Sequence, residues 1–213
     1  MGLMVLILLA VTGPVLGDVV GKEIEYTAGR TKLKGYAVYD NSIQFRRPGI
    51  IVVHEWWGHN AYTRRRADML AKLGYTAFAL DMYGEGKLAS NPEDAGESAA
   101  YIRKNLSVAK ERFLAARKIL SENFTVDSGK IGAIGYCFGG AVVLDMVRNG
   151  VNLRGAAVFH ANLSTNYPAV KNADKTRLLV MNGEADKFVN PPRFAEEKRE
   201  QFLLPFPNDE KIV

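Results

Sequence analysis

From Lys22 onward the apolar positions of the chain change period repeatedly. Short β-branched runs alternate with longer stretches in which apolar residues recur every three or four positions. Glu23–Thr27 and Leu33–Tyr39, separated by Gly29, predict an opening antiparallel pair, and Ile50–Val53 has the continuous apolar character of a strand buried on both faces. Tyr62–Leu73 reads as a helix closed by Gly74, and Thr76–Leu80 as the next strand. Asn91-Pro92-Glu93 opens a helical region running to about Asn123, with a break near Asn105. Strand Lys130–Ile134, helix Phe138–Arg148 ending near Gly150, strands Leu153–Phe159 and Arg177–Met181, and a helix from Pro191 to about Phe202 complete the pattern. Strand, turn and helix in alternation predict an α/β fold on a mostly parallel sheet flanked by helices. Loops at the carboxyl ends of such strands gather on one rim, where open α/β folds place their chemistry.

Met1–Gly17 stands apart: it carries no charge and holds the apolar run Leu3–Val11, followed by a Thr12-Gly13-Pro14 break. It reads as a signal peptide cleaved before Asp18, which leaves one domain over 18–213 and predicts a secreted or periplasmic protein. The run is shorter than the roughly 20 residues a spanning helix needs, so no membrane association is expected after cleavage. The 213 residues are 47% hydrophobic and 24% charged, ordinary for a globular chain, and a formal charge of +5 is too slight to name a partner. Arg64-Arg65-Arg66 has no aromatic interleaving, so nucleic acid is not an expected partner. A single cysteine, Cys137, excludes a disulfide framework and a multi-cysteine metal site. The three histidines, His54, His59 and His160, lack H-E-x-x-H spacing; no metal or cofactor is expected.

Three stretches after strands carry candidate chemistry. Gly135-Tyr136-Cys137-Phe138-Gly139-Gly140, between strand and helix, matches the nucleophile-elbow pattern G-x-S-x-G with Cys in place of Ser. Its glycines supply the room a strained turn needs, and the helix beginning at Phe138 aims N–H groups and a positive dipole end at the sulfur. That favours thiolate and makes the Phe138 N–H an oxyanion donor; an inert buried cysteine beside a glycine-rich turn is the alternative. His54-Glu55-Trp56-Trp57-Gly58 ends an earlier strand. Glu55 beside two tryptophans is a candidate proton acceptor whose pKa burial would raise, and Trp56 N–H a second oxyanion donor; a plain polar rim is the competing reading. Asp186 follows the strand ending at Met181, where a helix cap would also sit.

HEWWGHN (His54–Asn60), ALDMYGEGK (Ala79–Lys87) and IGYCFGG (Ile134–Gly140), in that order, resemble the dienelactone hydrolase family, a branch of the α/β-hydrolase fold with a cysteine nucleophile. The resemblance runs from about Gly21 to the end. It implies a Cys-His-Asp triad, with a glutamate that takes the thiol proton, acting without a cofactor on small esters or lactones. Carried over, Cys137 is the nucleophile, Glu55 its partner, Asp186 the acid that orients the histidine, and Trp57, Tyr83 and Lys87 substrate-binding residues.

Two departures qualify this. The family's histidine follows the acid, and no histidine follows His160 here. Asn208–Val213 reads as the start of one more strand, so the chain is expected to be C-terminally incomplete, its last strand and helix missing; substitution by His54, His59 or His160 is the less favoured possibility. The family's arginine for the substrate carboxylate, in the loop after the Asp-x-Tyr segment, is also absent: Glu85 and Lys87 stand there, which makes dienelactone itself doubtful. A non-catalytic α/β-hydrolase-fold binding module that has lost its base remains the alternative to an ester hydrolase.

Overall fold

The computed structural model describes residues 18–171, 173–183 and 186. The expected signal peptide, the helix from Pro191 and the segment Asn208–Val213 lie outside the described residues. Among the described residues, seven strands form one sheet: β1 (Val19–Ala28), β2 (Thr31–Asp40), β3 (Arg47–Val53), β4 (Thr76–Ala79), β5 (Val126–Tyr136), β6 (Gly155–Phe159) and β7 (Arg177–Met181), in the order β1-β2-β4-β3-β5-β6-β7. The β1–β2 and β2–β4 pairs are antiparallel, and the others run parallel. The α-helices among the described residues are α1 (Ala61–Lys72), α2 (Pro92–Lys104), α3 (Leu106–Asn123) and α4 (Phe138–Arg148).

The helix boundaries follow local capping chemistry. Asn60 caps α1 by accepting the Thr63 N–H, and Gly74, at a φ of 90°, ends it by donating to the Ala71 carbonyl. Asn91 caps α2 through the Asp94 N–H, with proline in its first turn and Glu93 and Asp94 against the positive end of the dipole. The break predicted near Asn105 falls on that residue, which closes α2 and opens α3 with non-helical dihedrals.

β3 is buried on both faces, as its apolar run predicts. Val52 packs with Val38, Ala77 and Ala79 against Ala67 and Ala71 of α1. Ile51 and Val53 face the other way, into a core with Phe78, Phe113 and Leu120 and with Val142, Val143 and Met146 of α4. Several strands start away from where their sequence patterns place them, β1 at Val19 instead of Glu23 and β3 at Arg47 instead of Ile50. β5 starts at Val126 because its polar Asp127–Gly129 stretch is taken up by a register shift against β3, between the pairs Arg47–Val126 and Gly49–Ile131. β6 starts only at Gly155: Leu153 is buried without joining the ladder.

The consequence for function lies in α4. All of its residues are buried, so its N-terminus is held under the rim where β3, β5, β6 and β7 end.

Candidate active site

The turn between β5 and α4 is strained in the way the elbow pattern requires. Cys137 adopts φ 52° and ψ −118°, a region L-residues rarely occupy, and its N–H donates to the Phe159 carbonyl of β6 at 2.9 Å. The flanking glycines are obligatory. A Cβ on Gly135 would lie 2.3 Å from the Gly139 carbonyl oxygen, and one on Gly139 would lie 2.4 Å from that of Val53.

Cys137 opens into a cleft of about 530 Å³ lined by Glu55, Trp56, Trp57, Arg103, His160 and neighbouring small and aromatic residues. Burial pushes the thiol above its ordinary value. The Phe138 N–H pulls the other way, while the carboxylates of Glu55 and Asp186 add to the rise. The expected thiolate preference of the helix N-terminus is thus overcome: half-burial and two nearby negative charges outweigh one N–H and the dipole, and the resting thiol is protonated.

The wall bearing Glu55 is fixed from behind by His54. This fully buried imidazole meets the Glu55 carbonyl through Nδ1 at 2.6 Å and accepts the Met82 N–H at Nε2, 3.1 Å away. Both nitrogens are engaged, which specifies the neutral Nδ1–H tautomer, and burial takes its pKa down to about 4. The Tyr83 hydroxyl donates to the Trp56 carbonyl at 2.8 Å. Asp81, also fully buried, accepts N–H groups from Lys34, Tyr83, Gly84 and Gly86 and so shapes the loop after β4. Among the described residues, no backbone group accepts the Trp56 N–H.

The opposite wall is built by the ends of β6 and β7. His160 has a positive φ of 52°, like its neighbour across the sheet, and its N–H bonds to the Met181 carbonyl. Its ring Nδ1 is hydrogen-bonded to the Asp186 carboxylate. The Asn182 amide secures the next residue by receiving the Ala161 N–H and donating to the Ala161 carbonyl.

Of the residues singled out from the sequence, Cys137, Glu55, Trp56, Trp57 and Phe138 meet in this cleft, and Asp186 stands behind His160. Tyr83 backs the cleft, its ring tilted against that of Phe138 and its hydroxyl on the Trp56 carbonyl, whereas Lys87 lies on a smaller cavity of about 220 Å³ and is bound to Asp94 and Ser98. His59 is buried against the Lys34 carbonyl. Sequence reasoning undervalued His160, because its contact with Asp186 spans 26 residues, and it missed Arg103 altogether. Nothing in the α2 sequence marks that arginine; only its spacing of four from Ala99, which shares the cleft, could have found it.

The model of the dienelactone hydrolase family matches residues 33–202, most of the chain. The chain belongs to the dienelactone hydrolase family. Among curated proteins, Protein usf of Aquifex pyrophilus is 30% identical over 178 residues, covering 80% of this chain and 74% of that protein. Carboxymethylenebutenolidase of Pseudomonas putida is 26% identical, over 68% of this chain and 63% of its own length. Among solved structures, m3DLH superposes with a TM-score of 0.77 at 31% identity, over 86% of this chain and 78% of that one. A dienelactone hydrolase-like promiscuous phosphotriesterase from metagenomic libraries gives 0.78 at 29%, over 87% and 79%. The mostly parallel sheet with flanking helices is therefore the α/β-hydrolase fold of a hydrolase family. Among the described residues no cluster of three His, Cys, Asp or Glu could hold a metal ion, and no helix is long and apolar enough to cross a membrane.

Proposed function

We propose that this dienelactone hydrolase family member cleaves small carboxylic esters or lactones through an acyl group carried on Cys137. The observation that carries this reading is the strained Cys137 turn opening into a cleft that also holds Glu55 and the Asp186-bound imidazole of His160. A protonated resting thiol needs an acceptor at the moment of attack. Glu55 takes the Sγ proton as the sulfur adds to the substrate carbonyl, and the N–H groups of Trp56 and Phe138 receive the oxyanion. Collapse breaks the ester C–O bond. The leaving alkoxide takes a proton from His160, whose cationic form Asp186 stabilises, after the proton passes to it from Glu55. Water then adds to the thioester, giving up its proton to His160, and the carboxylic acid departs as the thiol is restored.

Replacing Cys137 by Ala is expected to abolish hydrolysis of p-nitrophenyl acetate with the fold intact by circular dichroism; retained turnover overturns the assignment. The raised thiol pKa favours a second reading, a binding module that keeps the cleft without turnover. The two separate on the mass of Cys137 after rapid quenching with the ester, because only the hydrolase carries an acyl group. In the same proposal residues 1–17 act as an export signal, which the N-terminal sequence of the mature protein tests.

A further inference from the structure

α4 is buried along its whole length, yet its C-terminal half carries two charges. Asp145 and Arg148 are paired at 3.4 Å with 5% of each side chain exposed. A buried ion pair adds little net stability, since apolar side chains of similar volume often serve as well. Its contacts point to another use. Asp145 Oδ1 accepts from the Thr165 hydroxyl at 2.8 Å, and Oδ2 lies 3.6 Å from Nε of Arg103, in the last turn of α2. Arg148 donates to the Leu163 carbonyl and Arg103 to the Ser164 carbonyl, each at 2.7 Å. One carboxylate thus gathers three side chains that belong to, or grip, the loop after β6.

That loop depends on them. Among the described residues, no backbone group from Ala161 to Tyr167 bonds to another backbone group. Side chains supply the partners instead: Asn182 holds Ala161, Arg148 holds Leu163, Arg103 holds Ser164, and Thr165 accepts the Tyr167 N–H. The loop leaves the sheet at His160 and carries Asn162, which lines the cleft. Cys137 opens the same α4 that bears Asp145, about 12 Å away along the axis at 1.5 Å per residue. We propose that Asp145 is a positioning residue for the reaction: it ties the loop leaving His160 to the helix that presents Cys137, and so sets where the imidazole stands relative to the sulfur. Asp145 is not part of the cleft lining, and the His160 ring stays half-exposed above it. The inference rests on the ester-hydrolase reading, but one of its readouts does not.

Asp145→Asn keeps the shape of the side chain and removes the charge that draws Arg103 and Arg148 together. For p-nitrophenyl acetate, kcat is expected to fall roughly tenfold with KM within about twofold, as when a group that acts in the transition state is misplaced. The His160 ring resonance, assigned in a proton–carbon spectrum by its loss in His160→Gln, should move. Labelling of Cys137 by iodoacetamide should stay within about twofold, because its turn is held separately by the flanking glycines and the Phe159 carbonyl. Asp145→Glu restores the charge and should recover most of the lost kcat, and Thr165→Val, which removes one hydrogen bond, should lose roughly threefold. Either kcat or the His160 resonance unchanged in Asp145→Asn overturns the inference, whatever happens to stability. So does a loss that Asp145→Glu leaves unrecovered, or a fall in Cys137 labelling as large as that in kcat. If Asp145→Asn does not fold, Thr165→Val decides on the same readouts. Should the wild type hydrolyse no ester, the resonance decides alone: if it moves, the hydrolase reading fails and the positioning stands, and if it does not, both fail.

Discussion

The two walls of the cleft are made by the same device, a loop after a parallel strand, yet they are held very differently. The wall after β3 and β4 is fastened by His54, Tyr83 and Asp81, groups buried in whole or part whose hydrogen bonds run to backbone. The wall after β6 and β7 presents His160 with 45% of its side chain exposed, tied by its ring to Asp186. Donors for a developing oxyanion must be fixed before the reaction, because any reorganisation is charged to the barrier. A group that shuttles protons must reach a thiol, a leaving group and water in turn, and an exposed ring has that freedom. The stiff wall therefore suits stabilisation and the open wall proton movement.

The difference can be broken at its strongest point first. His54→Ala leaves the Met82 N–H without its partner in a dry site, removes one of the two donors to the Glu55 carbonyl, which keeps the Gly58 N–H, and opens a cavity. A loss of about 3–4 kcal/mol in urea denaturation is expected; a loss under 1 kcal/mol would show that the wall is not held there. The same imidazole sets a pH dependence. Its folded pKa of about 4 lies below the ordinary 6.5, so as pH falls through 6.5 the unfolded chain takes up a proton that the folded protein refuses. Stability from His54 is thus complete above pH 6.5 and declines toward pH 4, by up to about 3 kcal/mol. Denaturation curves at pH 7 and pH 5 check the slope, which His54→Gln should flatten.

On the open wall, His160→Gln is expected to change stability by less than about 1 kcal/mol, since its pair with Asp186 is half-exposed, while ester turnover drops about a hundredfold. Comparable losses of stability in His160→Gln and His54→Ala would erase the contrast. Smallest of all is Lys87→Ala. It breaks an exposed pair with Asp94, so stability should move by no more than about 0.5 kcal/mol and acetate hydrolysis by less than twofold. A large effect on KM would place Lys87 at the substrate after all.

The sequence was most legible where chemistry is local. The elbow could be read because backbone crowding forbids a Cβ at Gly135 and Gly139, and α1 and α2 because Asn60 and Asn91 cap their own chains. Glu55 and Trp56 were visible for the same reason, as neighbours at one strand end. What stayed hidden is set by strand order and helix placement. Asp186 meets His160 because β6 and β7 are adjacent and parallel, and Arg103 reaches the cleft because α2 lies over the rim. Lys87 shows the opposite failure: a plausible place in the chain, already taken by Asp94 in space.

The positive φ of Cys137 has an evolutionary side. Holding a non-glycine residue in that conformation costs on the order of 1–3 kcal/mol, which glycine would largely recover. Drift under pressure for stability alone would therefore carry position 137 to glycine and leave a sturdier, chemically silent protein. On the proposed mechanism, Cys137 occupies the point of the fold where stability and activity trade directly against each other.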